Sequence, residues 1–229
     1  AEESRILCNF DGSFDQVTTI AHELGHAYHN ECQKGLTMMQ KSTPMALAET
    51  ASIFCETIII NAAIKTASKA EKLAILETQL IGESQVIVDI YSRFLFEKEV
   101  FERRENCELS AEDFCDIMTR AQKATYGDGL DAKHMHEYMW ALKPHYYTPG
   151  LAFYNYPYAF GQLFALGLYK NFQNEGAKFV PKYNELLRST GQARALELTK
   201  KFGIDISKPK FWSDSLKIVE AHIDEYVKL

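Results

Sequence analysis

Ser13-Phe14-Asp15-Gln16-Val17-Thr18-Thr19-Ile20-Ala21-His22-Glu23-Leu24-Gly25-His26 opens with the marks of a helix N-terminus. Ser13 stands three residues before Gln16. That is the spacing of a capping box, in which two side chains take backbone N–H groups that the first turn leaves unpaired. The pattern predicts a helix over 14–33, with Val17, Ile20 and Leu24 forming its apolar face. On such a helix His22 and His26 lie one turn apart on a common face. Two imidazole nitrogens can then reach one metal ion at about 2.0–2.1 Å. Glu23 is rotated by about 100° from His22. It is kept off the metal but beside the place where a water would bind. This is the mechanical sense of the H-E-x-x-H pattern.

Upstream, Ser4–Phe10 reads as a short strand or hairpin arm, closed by the turn pair Asp11-Gly12. Residues 5–10 are placed to accept an extended peptide as an added strand. Downstream, Gly35 and residues 37–44 read as a loop, followed by an apolar helix over 45–66. A long amphipathic helix spans 70–106, with Leu73, Leu76, Leu80, Ile87, Ile90 and Phe94 at helical spacing. Ser110 and Asp113 cap a further helix to Tyr126, and a shorter one is expected over 132–142. An aromatic stretch from His145 to Phe160 starts as loop, because it holds Pro149-Gly150 and Pro157. A helix over 158–174 and three more complete the chain, broken at Gly191 and over 203–209. The fold class is all-α, a multi-helix zincin-like domain with one short strand or hairpin near the N-terminus.

A catalytic zinc ion takes three protein ligands and keeps one position for water. Glu49 is the best third ligand. It sits on the next helix among Ala46, Leu47, Ala48, Ala51 and Ser52, and a carboxylate buried among such neighbours needs a partner. Glu56, two turns on, is set to orient a ligand histidine. His29 and Glu31 are rivals for the third position. His134, His136 and His222 have no supporting context.

The chain has 229 residues, 46% hydrophobic, which suffices for a packed core without disulfides. Five cysteines, Cys8, Cys32, Cys55, Cys107 and Cys115, are odd in number and show no CxxC pair. They read as reduced, buried thiols of a cytoplasmic protein. The net charge of −6 offers no basic footprint for nucleic acid. The best apolar run, Ile53–Ile64, is interrupted by Glu56 and Asn61, so no membrane partner is expected.

Three segments carry a resemblance. Asp15–His29, Ala48–Glu56, and His145–Tyr147 continuing through Phe153–Gly161 together resemble oligoendopeptidase F, of the thimet-oligopeptidase-like zinc peptidases. The resemblance implies a largely helical peptidase that cuts short peptides and spares folded proteins. It implies one Zn²⁺ per chain, held by His22, His26 and Glu49, with Glu23 as general base. It places oxyanion-binding groups at His145 and Tyr158, with Tyr154 in reserve. It also implies that residues 1–229 are the C-terminal catalytic portion of a longer protein, whose N-terminal half would form the opposite wall of a substrate channel. Two other readings remain: a carboxypeptidase or dipeptidase on a related helical zinc scaffold, and a zinc-containing helical domain that binds peptides without cutting them.

Overall fold

The computed structural model describes residues 3–229. Ten α-helices follow one another: α1 (Phe14–Cys32), α2 (Met45–Ala48), α3 (Thr50–Thr66), α4 (Lys69–Ser84), α5 (Ile90–Arg104), α6 (Ala111–Tyr126), α7 (Tyr156–Glu175), α8 (Phe179–Arg188), α9 (Ala195–Lys201) and α10 (Pro209–Lys228). A π-helical turn, Gln85–Asp89, joins α4 to α5. They divide between two compact units. Residues 3–81 and 160–229 form the first, and Gly82–Ala159 the second.

The first unit is built around α3. Leu47, Ala51, Ile53 and Phe54 meet Phe164, Leu168 and Tyr169 of α7, Phe179, Tyr183, Leu186 and Leu187 of α8, and Leu198 of α9. Phe54 stacks on Phe179 and Tyr183 at centroid separations of 6.1 and 4.5 Å. Each such side chain, fully buried, contributes about 1.5–3 kcal/mol over exposure. The stretch Met45–Thr66 is long and apolar enough to cross a membrane by length and composition. In this fold its Thr50–Phe54 turn and Thr57 are buried in the core of the unit.

Helix α1 packs on α3 by an unusually close route. A Cβ added at Gly25 would lie 2.5 Å from both Ala51 O and Ser52 Cα, so the two backbones touch there. This contact corrects the expected apolar face of α1. Val17 and Leu24 are exposed, and the buried positions are Ala21, Gly25 and His29. Small residues, not large ones, define the inner face because α3 leaves no room for more.

The second unit packs α5 on α6 through Phe96, Val100, Ile117, Met118 and Ala121. The capping box at its α6 start is complete: Ser110 Oγ accepts the Asp113 N–H at 3.2 Å, and Asp113 Oδ2 accepts the Ser110 N–H at 3.0 Å. The one at α1 is half made. Ser13 Oγ accepts the Gln16 N–H at 3.2 Å, but the Ser13 N–H goes to Asp11 Oδ1 at 2.8 Å. A buried carboxylate, Asp89 of the π-turn, pairs with the Arg93 guanidinium and accepts the Tyr126 hydroxyl at 3.0 Å. Burial and that carboxylate push the Tyr126 phenol up to about 12.

Five expectations are corrected. No β-strand occurs among the described residues, and 4–10 is irregular. A strand needs a neighbour for its backbone groups. Here Leu7 and Phe10 stand exposed to solvent, so nothing recruits the segment into a ladder. The helix expected over 45–66 breaks at Glu49, whose φ and ψ of −89° and 5° lie outside the helical well. No α-helix forms over 132–142; only a 3₁₀ turn, Met139–Leu142, is present. The reason is Gln122, fully buried on α6. Its side chain accepts the His136 N–H at 3.1 Å and donates to the His136 carbonyl at 2.8 Å, filling the role that a helix would have filled. Conversely, α7 begins before Pro157, which sits in its first turn where a missing N–H costs nothing. All five cysteines are free, but only Cys115 is buried and Cys107 is exposed.

Candidate metal centre

The first unit brings His22, His26 and Glu49 together. His22 Nε2 lies 3.2 Å from His26 Nε2 and 3.2 Å from Glu49 Oε2, and His26 Nε2 lies 3.5 Å from Glu49 Oε2. A tetrahedral ion with bonds of 2.0–2.1 Å spaces its ligands by about 3.3 Å. The triangle therefore fits a zinc-sized ion, and the two-imidazole, one-carboxylate donor set suits zinc chemistry. These three residues are the only such cluster of histidine, cysteine and acidic groups among the described residues.

Each ligand is positioned by a local device. His22 and His26 follow from the pitch of α1. Glu49 sits in the gap between α2 and α3, which lets its side chain turn toward α1 instead of continuing along a helix. Its stem is backed by Gly161 of α7, where an added Cβ would come within 2.8 Å of Glu49 Cβ. Ser52 Oγ donates to Glu49 Oε2 at 2.8 Å. Hydrogen bonding to His22 above all, then to Ser52, holds the Glu49 carboxyl below its ordinary range against the opposing effect of burial.

Glu56 meets His22 from behind, with its Oε1 3.1 Å from Nδ1. Donation of Nδ1–H to that carboxylate leaves the Nε2 lone pair facing the triangle. Burial alone would lower the His22 pKa. Hydrogen bonds and attraction from Glu49 and Glu56 outweigh it and push the imidazole up to about 10 in the metal-free protein. Glu23 is half-buried, and its carboxylate makes no hydrogen bond or ion pair with the described residues. His29 is buried and bonded to the Leu187 carbonyl at 3.1 Å and Thr190 Oγ1 at 2.8 Å, so its ring holds α1 to α8. Glu31 pairs with Lys34 on the surface.

The second unit gathers the aromatic candidates. Asn155 Nδ2 donates to His145 Nε2 at 2.7 Å. Burial, then Arg93 and Lys143, lower the His145 pKa, so its ring is neutral with the proton on Nδ1. The His145 ring stands 5.8 Å from that of Tyr154, and the Tyr158 hydroxyl donates to the Tyr154 hydroxyl at 3.3 Å. Tyr146 packs on Phe96 and Phe153 packs on Phe94 and Phe101. Phe153 takes a left-handed φ of 57°. Glu97 Oε1 secures it by accepting its N–H at 2.6 Å.

Sequence reasoning missed Gly25, Gly161, Ser52, Asn155 and Glu97. Gly25 carried a usable signal, since glycine inside a helix costs about 1 kcal/mol against alanine and so marks a close approach. The others act through partners far apart in the chain, or through an ordinary serine.

Peptidase family M3 matches residues 2–218. The chromosomal oligoendopeptidase F of Lactococcus lactis subsp. cremoris is 25% identical over 98% of this chain and 37% of its own length. Oligopeptidase PepF of Bacillus subtilis (strain 168) is 24% identical over 98% of this chain and 33% of its own. A crystal structure from Chlamydophila abortus superposes with a TM-score of 0.80 at 25% identity, covering 95% of this chain and 37% of that one. That of oligoendopeptidase-F from Enterococcus faecium gives a TM-score of 0.78 at 22% identity, over 93% and 39%. The chain thus spans little more than a third of the length of the curated relatives it matches.

Proposed function

Because the chain belongs to peptidase family M3, we propose that it carries the zinc centre of an oligopeptidase that hydrolyses internal bonds of short peptides in the cytoplasm. The observation that carries this reading is the His22–His26–Glu49 triangle, with edges of 3.2–3.5 Å and Glu56 behind His22.

Zinc, when bound, supplies Lewis acidity toward the scissile carbonyl and toward water. Glu23, one residue past the first ligand and unengaged, removes a proton from the attacking water and delivers it to the leaving amine. His145, through Nδ1–H, and Tyr158, through its hydroxyl, donate to the oxygen on which negative charge develops. Tyr154 is the alternative phenol. Each such donor is worth about 10²–10³ in rate. The roles of His145 and the tyrosines rest on the resemblance of their segment. Those of His22, His26 and Glu49 rest in addition on the geometry of the triangle, and that of Glu23 on its place in the H-E-x-x-H pattern.

Glu23→Gln is the decisive variant. It should keep one zinc per chain and lose peptide cleavage by about 10²–10⁴; full activity on a quenched-fluorescent peptide would refute the mechanism. Glu49→Ala should lose the metal, measured by atomic absorption after dialysis. Products from peptides of graded length separate endopeptidase cleavage from removal of terminal residues.

A further inference from the structure

Glu49 occupies the N-cap of α3 and yet its side chain caps nothing. A side-chain oxygen at that position ordinarily turns back to accept the N–H of the second or third residue of its own helix. Doing so here would draw the carboxylate away from His22 and His26. The third residue of α3 is Ser52, which is fully buried. In a capping box, a residue at this place uses its side chain to accept the N-cap N–H. Ser52 does the reverse: its hydroxyl donates to the N-cap side chain.

The hydroxyl has one proton and two acceptors within reach, Glu49 Oε2 at 2.8 Å and the Glu49 carbonyl at 3.0 Å. The carbonyl already accepts the Ile53 N–H at 3.2 Å. The carboxylate is the stronger acceptor because it is ionised. The proton therefore goes to Oε2. That is the same oxygen that lies 3.2 Å from His22 Nε2 and 3.5 Å from His26 Nε2. Ser52 also stands where the two helices touch, since a Cβ on Gly25 would come within 2.5 Å of Ser52 Cα. Backbone contact thus fixes Ser52 relative to the helix that carries both histidines, and one hydrogen bond fixes the carboxylate relative to Ser52.

We propose that Ser52 is a positioning residue of the metal centre, whose hydroxyl holds the Glu49 carboxylate out of the N-cap and presents a single oxygen, Oε2, to the ion. The proposal rests on the metal-centre reading above. One lone pair of Oε2 is spent on Ser52 and one is left for the ion. A carboxylate bound through one oxygen keeps a three-ligand set, with the open fourth position that a catalytic centre needs for water. Without the Ser52 hydroxyl, the carboxylate is free to bind through both oxygens or to turn back on its own helix. In either case the ion gains an oxygen donor, from the carboxylate or from water.

Ser52→Ala removes the hydroxyl and adds no atom beside Gly25. Thr57→Val is the control, because Thr57 is a buried residue of the same helix whose hydroxyl donates to the Ile53 carbonyl at 2.8 Å and meets no metal ligand. The full chain would be stripped of metal and titrated with zinc against a chromophoric chelator, then with Co²⁺ while its visible absorption is recorded. Ser52→Ala should bind zinc about 10–100-fold more weakly, the usual effect of losing a hydrogen bond that orients a ligand. Its cobalt bands should lose intensity, because cobalt absorbs most strongly when tetrahedral. Thr57→Val should match the parent in both measurements. Undiminished zinc affinity in Ser52→Ala, cobalt bands identical to those of the parent, or an equal loss in Thr57→Val would overturn the proposal and leave the metal centre standing. A parent chain that binds no zinc would sink the metal-centre reading, and this proposal with it.

Discussion

The metal triangle of the first unit and the aromatic segment of the second are built by opposite means. His22 and His26 are placed by helix pitch within five residues of one another, and Glu49 by one backbone contact at Gly25. The 132–155 region has little regular structure and is pinned by side chains from remote positions: Gln122 on His136, Glu97 on Phe153, Asn155 on His145. The first arrangement follows from short-range periodicity. The second depends on which buried polar group finds which backbone atom, a matter of tertiary context.

The contrast can be broken most forcefully at Gly25. Gly25→Val should destabilise the first unit by about 3 kcal/mol or more, because the added atoms meet backbone that cannot rotate away. Zinc affinity should fall at least a hundredfold as α3 shifts with Glu49. Urea unfolding and competition with a chromophoric chelator measure the two effects; retained affinity would show that the helices do not depend on this contact. Gln122→Leu tests the other region. It leaves the His136 N–H and C=O without partners, at about 2 kcal/mol, and should not alter zinc binding. Faster hydrogen exchange over residues 131–142 is the expected signature, and protection equal to that of the parent would refute it. Ser110→Ala sharpens the comparison most gently. It removes a cap that is local in sequence yet lies in the second unit, and should cost about 1 kcal/mol, read from the same unfolding curves.

That last case shows that legibility follows range, not location. The Ser110–Asp113 box is readable because its partners are three residues apart. The H-E-x-x-H helix and the long 70–106 pattern are readable for the same reason, although the π-turn at 85–89 leaves no mark in the periodicity. Pro157 misled in one direction and Ala132–Leu142 in the other. In each, a strong local preference met a context that tolerated or overrode it. The Ser4–Phe10 strand failed because strand propensity is realised only when another strand is at hand. Glu49 was legible as a carboxylate among small residues, but the helix break that aims it was not.

The contact of α1 with α3 through Gly25 has a consequence for how the centre tolerates change. Most distances in a protein core are set by side chains, and evolution or design can adjust them one methylene at a time. Here peptide atoms rest on peptide atoms, and these are common to every amino acid. The spacing that brings Glu49 to His22 and His26 is therefore a fixed stop with a single adjustment, the identity of residue 25, and that adjustment moves only outward. Substitutions elsewhere in the first unit can loosen the scaffold that presses the helices together, but none can bring them closer. A mutational survey of zinc affinity should accordingly find many neutral or weakening changes around this core and no tightening ones that act through helix separation.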